Sequence, residues 1–198
     1  MQDIAFPVQF LFKVTTFSND FTATDANGNI VAYVKQKMFK LKEDISIYSD
    51  NTKTKLNYTI KADRWLDFSA AYSLKDRNGA EIGKITRKGW ASIWKAHYQI
   101  IDQYEKEQYM IREENGWVKV LDSILGEIPF LGLLSGYLFN PSYIVSDRNG
   151  QIIARLKKQP SMLGRKFEVN QLVQFDTDDE ERIVLSLMMM ILLERKRG

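Results

Sequence analysis

The run ERIVLSLMMMILLERKRG limits the folds open to this chain more than any other feature. Between Arg182 and Glu194 stand eleven residues, of which only Ser186 is polar. A helix that is apolar on every side has to be enclosed on every side. Eleven helical residues span roughly 16 Å, about half of a ~30 Å hydrocarbon core, so a membrane anchor is the lesser reading. The flanks carry helix-end signals. Thr177-Asp-Asp-Glu180 reads as a capping box, with Thr177 as the cap and Glu180 at the third helical position. Asp178, Asp179, Glu180 and Glu181 stand at the positive end of the helix dipole, and Arg195, Lys196 and Arg197 at the negative end. The expected central helix covers 177–197, and its enclosure has to come from the rest of the chain.

That rest reads as strands. TATDANGNIVAYVKQK, SLKDRNGAEIGKITRK and VSDRNGQIIARLKK share Asp-x-Asn-Gly, with glycines at Gly28, Gly79 and Gly150. Asn-Gly between alternating runs signals a hairpin, with a type I′ turn expected from positive φ at both central residues. The likeness continues past the turn through Val31, Ile82 and Ile153, then Ala32, Gly83 and Ala154, then Val34, Ile85 and Leu156. Small and aliphatic residues two apart share one strand face, and the small one admits a neighbouring backbone or helix. An internal repeat follows, with unequal steps of 51 and 71 residues between the glycines.

Further runs such as VQFLFKV, ISIYSDNTKTKLNYTI and FEVNQLVQF bring the total to about a dozen short strands, which suggests a sandwich or barrel. An eight-stranded barrel holds little beyond its own side chains, so a barrel that encloses a helix needs more strands. The expected fold is mainly β: a closed antiparallel barrel of about twelve strands around the C-terminal helix, one domain over 1–198. The extra length in the last interval falls at 118–141, expected as a helical or irregular insertion. Its Phe130, Leu131, Leu134 and Tyr137 either cap the core or meet a membrane or partner.

Composition removes several chemistries. The 198-residue chain has no cysteine and one histidine, His97, so disulfides, thiolate metal sites and histidine-based nucleophilic triads are not expected. There is no P-loop or dinucleotide fingerprint, and GLLSG around Ser135 is not the nucleophile elbow. The acidic run 176–181 lacks the glycine and ligand spacing of an EF-hand loop, and capping explains it more economically than calcium. No secretion signal is read in MQDIAFPVQFLFKV, where Asp3 stands in place of positive charge. A net charge of +3 permits attraction to anionic surfaces without specifying one.

ATDANGNIVAYVKQKMFKLKEDISIYSD resembles the repeated element of LURP-one-related proteins, and DDEERIVLSLMMMILLERK resembles their C-terminal helix. The resemblance covers essentially the whole chain and is thinnest over Asp122 to Pro141. It groups the chain with the tubby C-terminal domain and the phospholipid scramblases, and implies a closed twelve-stranded barrel around a hydrophobic helix. Tubby domains bind phosphoinositides through basic side chains on the barrel, and Lys35 and Lys37 of VKQK match a recurrent family pattern. The cysteine cluster and proline-rich extension of scramblases are missing here, which places scrambling last.

The resulting expectation is a non-catalytic module for anionic phospholipid or phosphoinositide, cytoplasmic, with peripheral rather than transmembrane contact. Lys35, Lys37, Lys40, Lys84, Arg87 and Lys88 are the candidate headgroup contacts. The alternative is a protein-interaction or scaffold role through Phe130, Leu131, Leu134 and Tyr137. No enzyme activity, cofactor, metal or nucleic acid is expected.

Overall fold

Period-two alternation marks β-strands such as the first, with an apolar, buried inner face. On β1 (Val8–Phe12), Val8, Phe10 and Phe12 are buried while Leu11 is exposed. The computed structural model describes residues 4–13, 19–36, 44–63, 71–87, 96–114, 141–161 and 166–195. After β1 come β2 (Phe21–Thr24), β3 (Ile30–Gln36), β4 (Asp44–Tyr48), β5 (Leu56–Ala62), β6 (Ala71–Asp76) and β7 (Glu81–Arg87). The second half adds β8 (His97–Asp102), β9 (Glu107–Glu113), β10 (Ser142–Asp147), β11 (Ile152–Gln159) and β12 (Lys166–Gln171). Each strand pairs antiparallel with the next, and β12 returns to β1 with Val8 opposite Val169 and Phe10 opposite Phe167. The expected closed barrel of twelve strands is what forms, and closure leaves no sheet edge open.

The three Asp-x-Asn-Gly hairpins differ from the expected type. Only the glycines have positive φ, +82° at Gly28 and +83° at Gly79 and Gly150, which excludes type I′. Each aspartate accepts two backbone N–H bonds through one oxygen, Asp25 from Asn27 and Asn29, Asp76 from Asn78 and Ala80, Asp147 from Asn149 and Gln151. The glycine N–H closes the turn on the aspartate carbonyl at 3.0–3.1 Å. One left-handed residue after a tight turn sets up a bulge in the following strand. Val31, Ile82 and Ile153 are the extra residues at those register shifts, and all three lean on the core.

Two more hairpins follow this plan without the motif. Asp50 accepts from the Thr52 N–H, and Asp102 from the Tyr104 and Lys106 N–H groups. Lys53 and Glu105 occupy the glycine position at φ +60° and +61°. Register shifts recur in β4–β5 and β8–β9. Among the described residues the turn therefore occurs five times, with Asp25, Asp50, Asp76 and Asp102 spaced by 25 or 26 residues and Asp147 by 45.

The bore is filled by α1 (Thr177–Arg195), in which every residue from Arg182 to Leu192 is buried. The cap is Asp176, one residue before the expected Thr177: its carboxylate accepts the Asp179 N–H at 2.8 Å. Freed from capping, the acidic first turn ties the helix to the wall. Tyr58 donates to Glu181 at 2.6 Å and Tyr109 to Asp179 at 2.5 Å. At the other end Tyr98 donates to Glu194 at 2.7 Å, and the Arg195 guanidinium lies 4.1 Å from the centre of the Phe12 ring.

The small inward residues make room for α1. A Cβ on Gly83 would sit 2.5 Å from the Ile101 carbonyl oxygen and 3.0 Å from Cδ of Arg182, and its φ of +152° is one that side chains rarely adopt. No helix among the described residues is long and apolar enough to cross a membrane.

Candidate functional site on the outer wall

The outward residues of β3 to β7 form a wall of lysines and hydroxyls, because each register pair places side chains on a common face. Lys35 lies opposite Ser46, Ser46 opposite Thr59, and Thr59 opposite Lys75. A second row runs from Lys61 to Ser73 to Lys84. With strands about 4.8 Å apart, Lys35 and Lys75 stand roughly 14 Å from each other. Long flexible stems let their ammonium groups reach a shared anion-bearing surface.

The lysines are not equivalent. Lys84 is held by Glu105 at 2.5 Å and by Glu81 at 3.4 Å. The Glu105 bond, with Glu81 after it, raises the Lys84 pKa against the opposing effect of burial. Lys35, Lys61 and Lys75 make no ion pair among the described residues. Between the lysines, Ser46 and Ser73 are buried, and the Ser73 hydroxyl donates to Asp63 at 2.6 Å. Asp44, opposite Lys61, brings a negative charge to the edge of the wall.

Beside Lys35 on the same face lies Tyr33, which is only 1% exposed. Its hydroxyl donates to Asp20 at 3.0 Å. The ammonium groups of Lys13 and Lys53 stand 4.7 and 5.3 Å from the ring centre, within cation–π range. Burial, with Asp20 adding to it, pushes the Tyr33 hydroxyl up to about 12. The ring thus gathers lysines from two distant loops next to a third on its own strand.

Of the sequence candidates, Lys35 and Lys84 stand on this wall, four strands apart. Arg87 faces the other way: it follows Ile85 by two residues and lies opposite Tyr98, on the inner face near the end of α1. Lys37, Lys40 and Lys88 lie outside the described residues, as do Phe130, Leu131, Leu134 and Tyr137 of the insertion. Sequence reasoning passed over Lys61, Lys75 and Lys53. The outward alternation of Lys61 and Lys75 in YTIKA and YSLKD was the available signal, but their place beside Lys35 depends on register.

The turn end of the barrel, where Lys53 and Glu105 also stand, has a different character. The repeated aspartates and the first turn of α1 make it acidic, and backbone N–H donors hold Asp25 and Asp102 below the usual carboxylate range against the burial that opposes them. An open cleft of about 470 Å³ there is lined by Lys106 and Arg148 together with Glu107 and Asp147. Such mixed charge selects neither sign of ligand. His97 stands at the start of β8 opposite Arg112, an ordinary strand position.

Neither a curated protein nor a solved structure matches the chain. A family model described as LURP-one-related matches residues 31–170, more than half of the length and nearly all of β3 to β12. With the closed twelve-stranded barrel and its internal helix, that match makes this chain a member of the LURP-one-related family.

Proposed function

We propose that the protein is a non-catalytic module that binds anionic phospholipid headgroups at a membrane surface through the outer wall of β3 to β7. The observation that carries this reading is the set Lys35, Lys61 and Lys75, three lysines on one wall without an ion pair among the described residues. Ammonium-to-phosphate bonds are charge-assisted, and each lysine near an anionic surface contributes about 1 kcal/mol. Thr59, between Lys35 and Lys75, supplies a neutral donor. Anionic lipid is concentrated on the cytoplasmic leaflet, so a cytoplasmic location belongs to the same proposal.

Co-sedimentation with vesicles tests it. Binding should be stronger to vesicles containing acidic lipid than to neutral ones and should weaken with salt. Changing Lys35, Lys61 and Lys75 together to Gln should reduce it by about two orders of magnitude, from roughly fivefold per lysine. Equal sedimentation with acidic and neutral vesicles would rule the proposal out.

A further inference from the structure

The two hairpins that lack glycine at the left-handed position both send the substituted side chain back to the lysine wall. A side chain at φ near +60° is disfavoured, and three sister turns avoid the strain with Gly28, Gly79 and Gly150. Strain retained against such an available solution points to a role for the side chain itself. Lys53 brings its ammonium group 5.3 Å from the Tyr33 ring centre, beside Lys35. Glu105 brings its carboxylate 2.5 Å from the Lys84 ammonium group, on the far side of the same wall. One substitution adds positive charge at β3, and the other cancels it at β7.

We infer that Lys53 is a phosphate-contacting residue of the wall and that Glu105 sets its boundary by neutralising Lys84, which centres the anionic surface on Tyr33, Lys35 and Lys53. The inference rests on the lysine-wall reading. It assigns to one turn position in the repeat the control of where lipid phosphate is held. Tyr33 serves as the platform, its phenol fixed by Asp20 and its ring holding Lys53 in place.

The test compares wild type with Lys53→Gly, Glu105→Gly and Glu168→Gln on phosphatidylcholine vesicles with and without equimolar phosphatidylserine. Glu168, on β12, interacts with Gln9, Gln159 and Asn170, and its change matches Glu105→Gly in net charge. Lys53→Gly should weaken binding about fivefold and Glu105→Gly should strengthen it about fivefold, the effect of one charge near such a surface. Glu168→Gln should leave binding unchanged. Neither glycine variant should melt below wild type, since both relieve the turn.

Shifts of the same sign in the two glycine variants, or no shift, overturn the inference while leaving the wall reading intact. So does a gain in Glu168→Gln equal to that in Glu105→Gly, which would make net charge the cause. A wild type with no preference for acidic vesicles overturns the wall reading itself. Inorganic phosphate, matched in ionic strength by chloride, should not displace the protein from vesicles; selective displacement would identify free phosphate as the ligand.

Discussion

Val34 and Lys35 are neighbours on β3 and belong to different environments. Val34 is fully buried in the core, while Lys35 faces outward among hydroxyls. Inside, position is governed by volume, as at Gly83, where a single added carbon meets both a carbonyl and the helix. Outside, the arrangement of charge along the register is what varies. One strand carries both codes, in alternate residues.

The contrast can be broken most severely from within. Met189→Asp places an unpaired carboxylate at the centre of the bore and should cost about 5 kcal/mol or more, so that no folded protein is recovered by size-exclusion chromatography or circular dichroism. The same residue placed on neighbouring positions is a sharper probe. Val34→Gln should cost about 3–4 kcal/mol in urea unfolding, whereas Lys35→Gln should stay within about 0.5 kcal/mol. A comparable loss in both would refute the division of the wall into two faces.

Gly83→Ala should cost about 2–3 kcal/mol, and the loss should shrink if Arg182 is shortened to Ala in the same chain. Tyr58→Phe removes a hydrogen bond to Glu181 and should cost about 1–2 kcal/mol.

Alkaline pH should give the most gradual effect. Burial first, then Glu181 and Asp179, raise the Tyr58 and Tyr109 hydroxyls above the ordinary phenol value, and Tyr33 is raised to about 12. A phenol whose folded value exceeds its unfolded value of about 10 favours the fold fully below pH ~10, and that contribution is lost as pH rises through the folded value. Unfolding free energy measured at about pH 9 and pH 11 should therefore fall, and Tyr58→Phe should flatten the decline.

The barrel and its pillar were legible because both leave a plain hydropathy pattern: alternation in VQFLFKV and an all-round apolar run at Ile183 to Leu192. Gly28, Gly79 and Gly150 exposed three hairpins. The other two were concealed because Lys53 and Glu105 stand where glycine is expected, and tertiary structure maintains a backbone conformation that local preference disfavours. The cap moved from Thr177 to Asp176 because both residues are good caps, and only the final geometry selects one. The wall itself was half visible. Lys35 and Lys84 were named, but Lys61 and Lys75 join them only through cross-strand pairing, which a linear sequence does not display. Arg87 illustrates the same limit: parity with Ile85 turns it inward despite its charge.

The position of α1 in the chain has a consequence for synthesis. All twelve strands precede the helix that fills them. A ribosome that has delivered β12 has produced a wall with no core, its aliphatic face still open to water. The hairpins, being local, can form as they emerge, but the barrel gains most of its stability only when Ile183 to Leu192 leave the exit tunnel. Folding is thereby held back until the helix has emerged, and until that point the nascent chain depends on whatever shields its apolar face.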